Sequence, residues 1–186
     1  VGISPTPELR REFRELLLKT SGIGEFISGV ILNDEIIRQK TKEGIPFADL
    51  VKQQGIIPGI KVDKKAHDLA NFPGEKITEG LDGLRDRLSE YKEMGARFTK
   101  WRAVITIGEG IPTTTCIESN AEALARFVSL SQEADFVPIV EPEVLMDGKH
   151  DIKKSEEVTY QTLKAVFKKL AEHRVYLGGL ILKSNW

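Results

Sequence analysis

A chain of 186 residues, 40% of them apolar, has enough material for one domain with a real core, or for part of a larger one. Its 27 basic and 28 acidic residues leave a net charge of −1, so the composition supplies no basic excess for nucleic acid and no acidic solvating tail. The only cysteine, Cys116, excludes an internal disulfide and suits a reducing compartment, and no apolar run approaches the ~20 residues that cross a bilayer.

In chain order the pattern alternates. ISPTPELRREFRELLLKTSG (3–22) predicts a helix, with Pro7 near its start and Leu9, Phe13, Leu16 and Leu17 at helical spacing. FISGVIL (26–32) is a short apolar run beside turn glycines and predicts a strand. DEIIRQKTKEGIPFADLVKQQG (34–55) reads as one polar helix ending on Gly55, and IIPGIKVD (56–63) as a second strand. ITEGLDGLRDRLSEYKEMG (77–95) predicts a helix with Leu81, Leu84, Leu88 and Tyr91 on one stripe and Gly95 as its stop. ARFTKWRAVITIG (96–108) follows as a third strand, CIESNAEALARFVSLSQEAD (116–135) as a helix and FVPIVEPE (136–143) as a fourth strand. A long helix, KKSEEVTYQTLKAVFKKLAEHR (153–174), precedes the fifth strand, VYLGGLILK (175–183).

Short strands, apolar throughout, that alternate with helices of a dozen or more residues predict parallel βα units with both sheet faces covered. No glycine-rich phosphate fingerprint opens the first unit, which argues against a dinucleotide-binding fold. Neither an internal repeat nor a linker interrupts the chain. No signal peptide is read at its start, and Val1 is not a methionine, so an incomplete N-terminus is expected.

The charges fall at the strand ends. Strand two ends Lys61-Val62-Asp63, strand three carries Lys100-Trp101-Arg102, strand four ends Glu141-Pro142-Glu143 and strand five ends at Lys183. Within each pair the i, i+2 spacing turns both side chains to one face. In a parallel barrel the C-terminal strand ends gather on the rim where active sites sit. Each group has an ordinary explanation. Lys183 would be a solvated end, "KWR" a snorkelling edge and Lys61–Asp63 a surface pair worth little. Together, that many charges on one rim call for pairing and for a task. A lysine set among cations and apolar walls has its charged form penalised, and a neutral amine attacks carbonyls to form a Schiff base. A neighbouring glutamate shuttles protons, and the remaining cations hold anionic groups such as phosphate.

The blocks GVIL, GIKVDK, EGLDGL, KWR, NAEALARF, PIVEPE, DGKHD and LILKSN resemble, in that order, those of class I fructose-1,6-bisphosphate aldolase, over residues 8 to 185. The spacings from Lys61 to Lys100, from Lys100 to Glu141 and from Glu143 to Lys183 fit that family too. The resemblance implies an α/β fold, a (β/α)8 TIM barrel of which residues 1–186 form a single partial domain with about five of eight βα units. By the same resemblance Lys183 is the Schiff-base lysine, Glu141 exchanges protons with the carbinolamine, Glu143 pairs with the site lysines and Lys100 polarises the intermediate. Lys61, Arg102 and, on the loosest match, Arg10 are implied as substrate-binding cations. The implied reaction is reversible cleavage of fructose 1,6-bisphosphate in glycolysis and gluconeogenesis, without cofactor or metal. The implied partners are a sugar-phosphate substrate and copies of the same chain in a tetramer, with no nucleic acid and no membrane. The implied location is cytoplasmic.

The family's first strand, with the aspartate that assists C–C cleavage, and its last two strands are not found in the sequence. Nor are its phosphate loop and its C-terminal tail. Trp186 stands where the family usually has an aliphatic residue. Five strands cannot close a barrel and leave two open edges, so further chain is expected. Two other readings stay open: another Schiff-base barrel such as transaldolase or deoxyribose-phosphate aldolase, and a non-catalytic fragment that serves as an interaction or scaffold piece. Intact mass separates the fragment, at 20.8 kDa, from an enzyme of about twice that mass.

Overall fold

A computed structural model describes residues 6–184, so Asn185 of the LILKSN block and Trp186 lie outside the described residues. Side-chain caps open four of the six α-helices among the described residues. The Thr6 hydroxyl accepts the Leu9 N–H at 3.2 Å and opens α1 (Pro7–Leu18). After β1 (Gly29–Leu32), Asn33 accepts the Ile36 N–H at 2.9 Å and opens the short α2 (Asp34–Arg38). Then come α3 (Phe47–Gln53), β2 (Ile57–Lys61), β3 (Ala66–Asp68), β4 (Lys76–Thr78) and α4 (Leu84–Glu93). The chain continues through β5 (Phe98–Ile105), α5 (Thr114–Glu133), β6 (Val137–Val144), α6 (Ile152–Glu172) and β7 (Ile181–Leu182).

Five strands form one parallel sheet in the order β1-β2-β5-β6-β7, so each βα unit lies beside the next in sequence. This is the wall of an incomplete (β/α)8 barrel, without the switch point of a doubly wound sheet. β3 and β4 form a separate antiparallel hairpin.

The structure departs from the sequence reading in four places. The helix expected over 34–55 is two helices. Thr41 and Ile45 close a turn between them through an N–H to carbonyl bond of 2.8 Å, and Pro46 cannot continue a helix. The helix expected from 77 starts only at Leu84, because 76–78 pair as β4 and Gly80 and Gly83 have positive φ. The β3–β4 hairpin carries no strong strand pattern, and tertiary bonds hold it. Buried Glu75 accepts the Thr113 N–H at 2.6 Å and the Thr113 hydroxyl at 2.7 Å, and Asn120 donates to the Lys76 carbonyl at 2.8 Å. The fifth strand shortens to Ile181–Leu182, since a 3-10 turn takes Leu177–Gly179.

Period-two alternation divides the sheet into two faces. The outer face carries Leu32, Ile60, Trp101, Ala103 and Val140, all buried under the helices. Trp101 stacks on Phe127 of α5 with ring centroids 5.5 Å apart. "KWR" is therefore no snorkelling edge: its tryptophan points into the core and its two cations point the other way.

The inner face is layered. Its lower layer is apolar, with Ile31, Ile57, Phe98, Val137, Ile139 and Ile181 lining one concave floor. The Phe98 ring lies over Gly59, where a methyl group would stand 2.2 Å from a ring carbon. The charged residues come directly above. Phe98 therefore sets the seat for Lys100, two residues on along the same strand. Gly59→Ala is expected to cost about 1–3 kcal/mol in urea unfolding, the range for overpacking. That cost should shrink in a Phe98→Ala background. An unchanged cost would place the strain away from the ring.

Candidate active site

Strand register brings the charges together. Lys61 pairs with Lys100 across β2 and β5, and Arg102 pairs with Glu141 across β5 and β6. The Lys183 N–H donates to the Val140 carbonyl at 2.8 Å and carries the β6–β7 ladder one step past β7. Six of the predicted residues, Lys61, Lys100, Arg102, Glu141, Glu143 and Lys183, therefore lie on one face at the C-terminal ends of the strands.

Glu141 is the centre. Its side chain is 5% exposed, and its two oxygens take one lysine each: Oε1 accepts from Lys183 Nζ, and Oε2 is paired with Lys100 Nζ. The two lysines differ in access. Lys100 is 12% exposed and Lys183 50%. Burial pushes the Glu141 carboxyl up, but hydrogen bonds from Lys100 and then Lys183 outweigh it and hold the group below the ordinary carboxylate value. The carboxylate is thus ionised at neutral pH although it is almost out of water.

Glu143, one inward position further on, pairs with Arg102 Nε and not with a lysine. That hydrogen bond raises the Arg102 guanidinium against its partial burial. Lys61 Nζ pairs with Asp63, and the pair is not the surface contact that the sequence suggests, because the Asp63 side chain is 3% exposed. Asp63 was visible in the sequence as the acid two residues after Lys61. Its burial was not.

Arg10 sits apart, on α1. It donates to Glu35 Oε1 of α2 from Nη2 at 2.9 Å and from Nε at 3.2 Å, while Arg14 takes the other oxygen at 3.1 Å. Glu35 lines the same cleft as Asn33, Lys61, Asp63 and Lys64. Arg10 is therefore linked to the edge of the charged rim and is not part of its centre.

Arg87, on α4, is a rim-organising residue that no sequence pattern singles out. It donates from Nη1 to the Val62 carbonyl at 2.8 Å and from Nη2 to the Gly80 carbonyl, tying the segment after β2 to the loop before α4.

A buried carboxylate between a sequestered ammonium and an accessible one can pass protons to a carbonyl addition at the accessible amine. Comparisons with known proteins show what the chain as a whole is similar to. Residues 1–186 match the family model described as "Glycolytic: Fructose-bisphosphate aldolase class-I". A probable fructose-bisphosphate aldolase class 1 of Xanthomonas campestris pv. campestris is 61% identical over 185 residues, covering 100% of this chain and 55% of that protein. The cytosolic fructose-bisphosphate aldolase 6 of Arabidopsis thaliana is 51% identical over 176 residues, 95% of this chain and 49% of its own length. Among solved structures, a fructose-bisphosphate aldolase from Plasmodium falciparum, in complex with TRAP and a small-molecule inhibitor, superposes with a TM-score of 0.96 at 46% identity. That match covers 99% of this chain and 54% of the other. The chain spans about half the length of the curated relatives it matches. With the family model matching the whole sequence and the parallel wall superposing on a solved aldolase, the chain belongs to the class-I fructose-bisphosphate aldolase family.

Proposed function

We propose that the protein containing this chain is a Schiff-base aldolase that reversibly cleaves fructose 1,6-bisphosphate to dihydroxyacetone phosphate and glyceraldehyde 3-phosphate. The observation that carries the reading is the Glu141 carboxylate held between Lys100 and Lys183 on adjacent strands. Lys183 is the nucleophile, because a ketone can reach its half-exposed amine, while Lys100 is enclosed.

The steps follow from the contacts. Glu141 Oε1 accepts a proton from the Lys183 ammonium, and the free amine adds to the C2 ketone to give a carbinolamine. Protonated Glu141 returns the proton to the C2 hydroxyl, water leaves, and an iminium remains. Lys100 stays paired with Oε2 during this exchange, so Glu141 never loses both partners. The iminium draws the electrons of the breaking C3–C4 bond, the C4 hydroxyl passes its proton to the carboxylate of the aspartate that the family resemblance implies for C–C cleavage, the aldehyde forms, and glyceraldehyde 3-phosphate departs. The enamine is protonated at C3, and water hydrolyses the iminium to dihydroxyacetone phosphate and free Lys183. Arginine cannot replace Lys183, since a guanidinium stays protonated. Lys61, Arg102 and, from the edge, Arg10 supply positive charge for the phosphates, and Glu143 holds Arg102 in place. The relative named cytosolic supports a cytoplasmic location, and the family resemblance supports assembly into a homotetramer.

Borohydride reduction of the full-length protein with dihydroxyacetone phosphate should leave an adduct on the peptide containing Lys183 and none in Lys183→Arg. An adduct on Lys100, or cleavage that persists in Lys183→Arg and is abolished by a chelator, would sink the proposal. Glu141→Gln should lower kcat by about 10²–10⁴-fold, the range for lost general acid–base catalysis.

The same carboxylate makes a stability prediction. Its folded-state value is depressed, so its stabilisation is complete above the ordinary carboxylate value of ~4.3 and is lost as pH falls through the depressed one. Urea unfolding of the full-length protein should therefore show a steeper acid loss than that of Glu141→Gln. Equal slopes would mean that the two lysines do not stabilise the charge.

A further inference from the structure

The β2–β5 ladder stops in an unusual way. Its last regular bond runs from the Val62 N–H to the Lys100 carbonyl at 3.1 Å. In a parallel pair the next would run from the Arg102 N–H to the Val62 carbonyl. The Val62 carbonyl is instead taken by Arg87 Nη1 at 2.8 Å, and the Arg102 carbonyl accepts the Thr78 hydroxyl at 2.8 Å. The Arg102 N–H goes to a side chain, Asp63 Oδ2, at 3.3 Å. Asp63 thus stands in for a backbone acceptor on the strand that carries Lys100 and Arg102.

Its other oxygen faces the rim. Oδ1 pairs with Lys61 Nζ and accepts the Lys65 N–H at 3.3 Å. The Asp63 side chain is 3% exposed against 36% for Lys61, so a buried anion holds a more exposed cation. Lys61 and Lys100 are register partners on one face, and like charges placed opposite each other repel. Glu141 answers the charge of Lys100, and Asp63 answers that of Lys61.

We propose that Asp63 is a positioning residue for substrate binding, a carboxylate anchored to the backbone of β5 that sets where the Lys61 ammonium meets an anionic substrate. The inference rests on the aldolase reading for its substrate, though not for its geometry.

Asp63→Asn is the sharpest variant, because the amide oxygen still accepts the Arg102 N–H while the charge that holds Lys61 is gone. In the full-length protein, KM for fructose 1,6-bisphosphate should rise about tenfold, with kcat within about twofold. The borohydride adduct on Lys183 should persist. Lys61→Ala should raise KM comparably, and Asp63→Asn combined with Lys61→Ala should be no worse than Lys61→Ala alone. KM effects that multiply in the double variant, or a fall in kcat at unchanged KM, would overturn the proposal. A second readout needs no turnover. Acetylation of Lys61, followed by peptide mass, should speed up several-fold in Asp63→Asn, and an unchanged rate overturns the proposal whatever the activity. If the unsubstituted protein gives no adduct on Lys183, the aldolase reading fails, and the acetylation result still decides whether Asp63 holds Lys61.

Discussion

A carboxylate taken out of water on the inner face of a parallel sheet must find cations, and Glu141 finds two. Burial works against the charged carboxylate, and Lys100 and Lys183 together hold it below the ordinary carboxylate value. The triad depends in turn on register. A slip of one residue in β6 would turn Glu141 to the helix side and leave both lysines without their partner. The long β5–β6 pairing, from Phe98↔Val137 to Ile105↔Val144, is what makes that slip costly. The stacked Trp101 and Phe127 hold β5 against α5 from behind.

The inner face keeps this charge from spreading into the core. Below the ionic ring, Phe98 rests on Gly59, and aliphatic side chains from the neighbouring strands complete the floor. The floor is itself open in this structure, with Ile57 51% and Ile181 50% exposed, and the two lysines above it differ in access. Lys100 stands on a central strand with paired neighbours on both sides and is 12% exposed, against 50% for Lys183.

Much of this was legible in the sequence, and the reason is periodicity. Lys100/Arg102 and Glu141/Glu143 are i, i+2 pairs in apolar runs, and such pairs share a face however the strand is oriented. The parallel order was legible because helical segments separate the successive strands of the sheet, two of them 20 and 21 residues long. What was not legible depends on contacts across the fold. Lys76–Thr78 became a strand through Asn120 and the hairpin rather than by propensity, against an apparent helix starting at Ile77. The run 34–55 looked continuous because its polarity is uniform, yet the Thr41–Ile45 turn folds it back. Asp63 looked like an ordinary acid after a strand. Only the missing ladder bond between Arg102 and Val62 shows why it is buried.

The resting rim is also a statement about how anions bind. Lys61 holds Asp63, Arg102 holds Glu143, and Lys100 and Lys183 share Glu141, so four cations share three carboxylates. The ring carries a small positive excess without an unpaired cation. An incoming phosphate therefore gains affinity by joining or exchanging pairs that already exist, and the side chains it meets have already lost much of their rotamer freedom. Carboxylates paired with these cations hold them in place before a ligand arrives. Such an arrangement favours orientation over raw attraction, and it suits a reaction in which a ketone carbon must be delivered to one particular amine.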